Sequence, residues 1–231
     1  MSLSRPLTDT SDTEQPAPPT GTGDDRKLST TDAAGLVGVK YTTYRVMAKD
    51  AVDEAVVDFD RPVEKSCTES VPLVGADGYR ALWNARHRIA ESYDLSPEQV
   101  QRLLGRYGSL IGELLEMISE DPSLAQPLPD GGGYLRVEVA YAATHEGAQH
   151  LDDVLARRTR ISIETWDRGV TAAADVAELM GDRLGWDADR RRVEVETYRE
   201  RVRAELESQQ QPDDHAADAS RLSAPEIVAV G

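Results

Sequence analysis

Apolar residues recur at spacings of three and four along most of this chain, the period of one helical face. Met47, Ala51, Val52, Ala55, Val56 and Phe59 form the first such set. A short apolar run, Leu36-Val37, precedes it and breaks at Gly38 before Lys40-Tyr41-Thr42-Thr43. The pattern predicts an extended segment that turns at glycine into a helix opened by threonines. "DRPVEKSCTESVPLVGADG" follows, punctuated by Pro62, Pro72 and Gly75, and reads as a linker.

Helical periodicity resumes at Tyr79 with Leu82, Trp83, Arg86 and Ile89 on one side. Ser96-Pro97-Glu98-Gln99 has Ser as N-cap, Pro at the first helical position and Gln three residues on. Val100, Leu103, Leu104 and Tyr107 continue that helix, Gly108 interrupts, and Leu110, Ile111, Leu114, Leu115 and Ile118 resume. From Tyr134 to Gln211 there is no proline. The spacing predicts helices over 134–146, 149–165, 170–184 and 187–208, broken near Gly147, Gly169 and Gly185, with Asp187 capping the last. The fold class is all-α: a multi-helix domain over 78–208, a linker over 60–77 and a short element over 35–59. Residues 1–34 and 209–231 are polar and rich in Pro, Thr, Gly, Gln and Asp, and read as a disordered leader and a disordered tail.

Charge narrows the function. A formal net charge of −16 with pI near 4.6 argues against nucleic acid as a partner, because phosphate binding needs clustered Lys and Arg. The same acidity opposes anionic membrane surfaces. Cys67 is the only cysteine, so there is neither a disulfide framework nor a cysteine zinc site, which fits a reducing compartment. No uncharged run approaches the ~20 residues of a spanning helix. The expectation is a cytoplasmic protein, with at most peripheral association at the inner face of the membrane.

Several motifs suggest chemistry. "GTGDDR" looks like a dinucleotide fingerprint, but Arg26 stands at the third glycine and no strand precedes it. His145 and His150 flank Glu146 in "THEGAQH". A zinc pair needs histidines four apart, and five residues rotate the second ring by roughly 500°, so no metal site is expected. Asp153 and Arg157 have the i,i+4 order of a favourable ion pair. Arg157-Arg158-Thr159-Arg160 is a basic cluster, serving either a structural ion-pair network or an anion contact. Lys40 lacks the G-x-x-x-x-G-K-[ST] frame of a triphosphate site. The helix start behind it is either an ordinary capped terminus or an anion site made by free N–H groups.

"KYTTYRVMAKDAVDEAV" resembles the junction between the flavin domain and the C-terminal helical domain of FAD-dependent glycerol-3-phosphate dehydrogenases. The resemblance continues in order through "SVPLVGADGY", "LLGRYGSLI", "YLRVEVAYAATHEGAQHLDDVLARRTRIS" and "YRERVRAEL", covers residues 35–208, and points to the actinobacterial branch. It implies that 35–59 is a remnant of the FAD-binding domain end and 78–208 the C-terminal domain. It implies that Gly38, Lys40, Tyr41, Thr42 and Thr43 lie at the flavin edge, with no catalytic residue and no metal ligand in this chain. The implied reaction oxidises sn-glycerol 3-phosphate to dihydroxyacetone phosphate with hydride transfer to FAD and electrons passed to quinone. Two departures bear on this. The dinucleotide-binding half has no counterpart here, and the family's glycine pair has become Gly38-Val39. The expectation is therefore a chain that binds no FAD and is inactive alone, and completes an enzyme only with a flavin-domain chain. The alternative is a freestanding helical adaptor derived from the same domain.

Overall fold

The computed structural model describes residues 43–227. Gly38, Val39, Lys40, Tyr41, Thr42 and the stretch read as a leader lie outside the described residues. Among those described there are nine α-helices and no strand. They fall into two units that divide between Val71 and Pro72.

In the first unit, α1 runs over Tyr44–Ala55. Its Lys49 pairs with Asp53 at 2.7 Å, and Arg45 donates to the Val71 carbonyl at 3.2 and 3.3 Å. The apolar face read from the sequence is there, but none of the helix is buried. Tyr44, Val46 and Val52 on α1, and Phe59 beyond it, are exposed.

The second unit carries the core. Helices α2 (Tyr79–Ser92), α3 (Pro97–Tyr107) and α4 (Ile111–Glu120) pack in sequence. The Ser96 capping box forms as the sequence requires: Gln99 N–H donates to Ser96 Oγ at 3.2 Å, and Ser96 N–H to Gln99 Oε1 at 2.7 Å. Between α3 and α4 the chain turns through Gly108, whose φ is +58°. There the backbone touches Gly75, whose carbonyl accepts from Ser109 N–H at 2.8 Å.

Helix α5 (Arg136–Thr144) is the centre of the unit, with every residue from Val137 to Ala143 buried. Its small Ala140, Ala142 and Ala143 allow a close approach by α7 (Ala173–Leu184), which presents Ala173, Val176 and Ala177. Helix α8 (Ala188–Ser208) is capped by Asp187 Oδ1, which accepts from Arg190 N–H at 2.7 Å. Its buried Tyr198 and Val202 face the core.

Two expectations are corrected. The helix expected over 149–165 is instead a single π-helical turn, Asp153–Arg158, followed by the one-turn α6, Ile161–Glu164. Thr159 ends the turn: its hydroxyl donates to the Val154 carbonyl at 2.6 Å, five residues back. The next N–H, on Arg160, is taken by the Tyr134 hydroxyl at 3.0 Å. Both bonds draw the chain off an i→i−4 ladder. The tail read as disordered from Gln209 contains α9, Asp214–Leu222. Asp213 caps it, accepting from Ala216 N–H at 2.8 Å. Ala217 is buried, Ser220 Oγ donates to the Ala204 carbonyl of α8, and Arg201 donates to the Pro225 carbonyl at 3.0 Å. Alanines provide its packing face, and small residues in a polar stretch give little periodic signal.

Candidate functional site

The residues the sequence places at a cofactor edge reach the described structure only at Thr43. It occupies the N-cap of α1 but makes no capping bond. Its hydroxyl instead lies 3.6 Å from Met47 Sδ. The first turn of α1 carries no acidic side chain. A terminus without a side-chain cap leaves backbone donors for an outside acceptor.

The densest buried chemistry lies elsewhere, between α3 and α5. Glu138 is 1% exposed and accepts three contacts. Leu135 N–H donates to Oε1 at 3.0 Å, the Tyr107 hydroxyl to Oε2 at 3.2 Å, and Arg106 Nε lies 3.0 Å from Oε2. The last is a charge contact rather than a directed hydrogen bond. Arg106 also donates to the Tyr134 hydroxyl at 3.2 Å and to the Arg158 carbonyl. The Tyr134 ring is held by two guanidinium groups, Arg102 at 4.2 Å and Arg106 at 4.8 Å from its centroid. Tyr107 meets Tyr141 edge to face, and the Tyr141 hydroxyl donates to Glu113 at 2.6 Å.

Burial pushes the Glu138 carboxyl up, against the opposing pull of the Leu135 N–H and Arg106. Burial and the neighbouring Glu138 push the Tyr107 phenol up as well, so it stays a donor. These contacts join α3, α5 and the π turn through Arg106, Tyr107, Tyr134 and Glu138. Sequence reasoning passed over Glu138. Its one signal was a glutamate three residues into a helix after an extended residue, half of a capping box.

The two histidines of "THEGAQH" go to separate places. His145 stacks on Tyr141 with 4.5 Å between centroids, and His150 Nδ1 lies 2.9 Å from Glu194 on α8. Among the described residues no group of three or more His, Cys, Asp and Glu side chains is placed to hold a metal ion. The expected Asp153–Arg157 pair forms at 2.7 Å, and Arg157 also meets Asp152 at 2.7 Å. Arg158 donates to the Glu146 carbonyl at 2.9 Å. The basic cluster is thereby tied into the fold. A cleft of about 280 Å³ opens between the π turn, α8 and α9. The arginines that line it, Arg168, Arg201 and Arg221, pair with Glu205, Asp152 and Asp218.

The other prominent feature is the turn from α6 to α7. Trp166 there is fully solvent-exposed and Ile163 is 70% exposed. No described helix is long and apolar enough to cross a membrane.

Comparison with known proteins relates this geometry to a family. Residues 66–191 match the family described as the C-terminal domain of alpha-glycerophosphate oxidase. The chain is similar to glycerol-3-phosphate dehydrogenase 2 of Mycobacterium tuberculosis, 54% identical over 197 residues that cover 84% of this chain and 34% of the relative. The glycerol-3-phosphate dehydrogenase of Mycobacterium leprae is 52% identical over 196 residues, with the same coverage. The mitochondrial glycerol-3-phosphate dehydrogenase SDP6 of Arabidopsis thaliana is 29% identical over 178 residues, 71% of this chain and 28% of the relative. The chain thus spans about a third of the length of the curated relatives it matches. No solved structure matches it. The helical unit, the family match across most of it and the identity to the mycobacterial proteins agree: this chain belongs to the glycerol-3-phosphate dehydrogenase and oxidase family, as its C-terminal domain.

Proposed function

We propose that this chain supplies the C-terminal helical domain, and the helix entering it, of an FAD-dependent dehydrogenase that oxidises glycerol 3-phosphate and passes electrons to quinone. The observation that carries the reading is α1. It is a helix with an apolar face that buries none of its residues, which fits one whose partner surface lies on a flavin-binding body. Gly38, Lys40, Tyr41, Thr42 and Thr43 then line the flavin edge. FAD, when bound, supplies the hydride acceptance. With FAD bound, the α1 terminus, which the Thr43 side chain does not cap, and Lys40 would favour negative charge on the flavin. Val39, beside Gly38, limits how closely the backbone approaches that ring. The enzyme works in the cytoplasm, touching the membrane only peripherally to reach quinone.

One helix terminus contributes about 0.3–1 kcal/mol at an exposed site, whereas micromolar affinity requires about −8.2 kcal/mol. The purified chain is therefore expected to be colourless and inactive toward glycerol 3-phosphate with a dye acceptor. Addition of a flavin-binding body, taken from the M. tuberculosis relative without its matched third, is expected to give turnover that Lys40→Ala reduces. A yellow preparation of the chain alone, carrying stoichiometric FAD and turning over, overturns the reading.

A further inference from the structure

We infer that the Ile163–Trp166 turn is the anchor by which this domain docks on the body that accompanies it in its relatives, at an apolar notch rimmed by lysine or arginine. The inference rests on the proposed function and adds the surface that makes the joint. It begins from an exposed side chain with the wrong chemistry for exposure. Trp166 is fully exposed, and Ile163, three residues earlier, is 70% exposed. A tryptophan that docks removes roughly 150–250 Å² from water and is the residue type most often found at the energetic centre of an interface.

The turn is also multiply bonded, although no described residue covers its tip. Thr165 Oγ1 donates to the Ile161 carbonyl at 2.8 Å, and Asp167 accepts from Gly169 N–H at 3.0 Å and from Thr171 N–H at 2.7 Å. Burial pushes the Asp167 carboxyl up, but the bonds from Thr171 and Gly169 outweigh it and hold it at about 2. Arg168 adopts a left-handed φ of +57°, and its carbonyl accepts the buried Tyr198 hydroxyl at 2.6 Å. Gly169 has φ +81°, and a Cβ there would come within 2.7 Å of Ile161 Cγ2. The backbone of such a turn has given up much of its conformational freedom before any partner arrives, and only the ring of Trp166 remains to be ordered. That lowers the entropy cost of association.

Charge and length name the occupant. The depression beside Trp166 is lined by Asp130, Glu164 and Asp167 and by no basic side chain, while Arg102 reaches Glu164 from one side at 3.2 Å. An acidic rim of this kind selects a basic one. A second copy of a chain with net charge −16 would set like charges against each other, so self-association is disfavoured. The family match encloses the turn, and the mycobacterial relatives are about three times as long as the segment they share with this chain. The remaining two thirds of such a protein is the surface available to it.

The test uses the full chain and, as probe, the M. tuberculosis relative lacking its matched third. Binding is followed by sedimentation velocity and by iodide quenching of tryptophan, with Trp166→Phe identifying the signal of Trp166 against Trp83 and Trp186. The expected result is a complex in which Trp166 is shielded, which weakens at least tenfold in Trp166→Ala and weakens further as salt is raised. Trp166 is not buried among the described residues, so its replacement is expected to leave the denaturation midpoint of the chain unchanged, which a urea titration checks. In a second arm, the whole chain replaces the matched third of the relative in one polypeptide, which removes any dependence on how the shortened probe behaves. Trp166 is again expected to be shielded. Association or activity with Trp166 fully quenchable, or with Trp166→Ala binding as well as the parent, overturns the inference and leaves the proposed function standing. Absence of both association and activity in both arms overturns the two together. Self-association that Trp166→Ala abolishes assigns the turn to a second copy and overturns the stated occupant.

Discussion

Glu138→Ala is expected to lower the unfolding free energy of the chain by about 3–5 kcal/mol, the cost of leaving one member of a buried ion pair uncompensated. The carboxylate is 0% exposed and Arg106 is 22% exposed, so the pair is largely shielded from bulk water. Three contacts vanish at once, from the Leu135 N–H, the Tyr107 hydroxyl and Arg106. Urea denaturation measures the loss as a lower midpoint. A domain of this size shifts by about 2–4 °C per kcal/mol in thermal melts. Glu138→Gln separates the parts, because the amide oxygen still accepts a hydrogen bond while the charge is gone. It is expected to cost less than the alanine variant. Equal stability of Glu138→Ala and the parent chain would show that the network is ornamental.

The second large effect is expected at Gly108. Its φ of +58° disfavours a side chain, and a Cβ there would stand 2.1 Å from the Gly75 carbonyl oxygen. Rigid backbone, not a flexible side chain, is the obstacle. Left-handed strain costs about 1–3 kcal/mol and overpacking costs about 1–3 kcal/mol more. Gly108→Ala is therefore expected to destabilise the domain by roughly 2–6 kcal/mol. The damage should concentrate where the 72–78 segment meets the α3–α4 junction, because the Ser109–Gly75 hydrogen bond depends on that contact. A wild-type denaturation midpoint in Gly108→Ala would mean that the two backbones part without penalty.

Gly108 also shows how far the sequence could be read. Its interruption of the helix between Tyr107 and Leu110 was legible from periodicity, as was the Ser96 box from the order of four residues. The reason for the glycine was not, because its partner Gly75 lies 33 positions earlier (108 − 75) in a stretch without period. Helix α5 was legible as a helix, but not as the central one. A helix buried on every side has no polar face to contrast with an apolar one. The π turn was lost for a similar reason: Thr159 and Tyr134 redirect the chain through bonds that sequence spacing does not encode. Family membership was legible from colinear segments. The candidate site was legible only as residue types at a helix start, and of that set Thr43 alone lies within the described residues.

The burial of α5 has a consequence for how the molecule opens. Its amides from Val137 to Ala143 sit on a helix with no wet face, so fraying and sliding along the surface give deuterons no access to them. They exchange only when α7 and the segments beside α5 separate from it, which dismantles the whole unit. In deuterium-labelling mass spectrometry this peptide should form the slowest class, its protection reporting global stability directly. Peptides from α9 should label long before it.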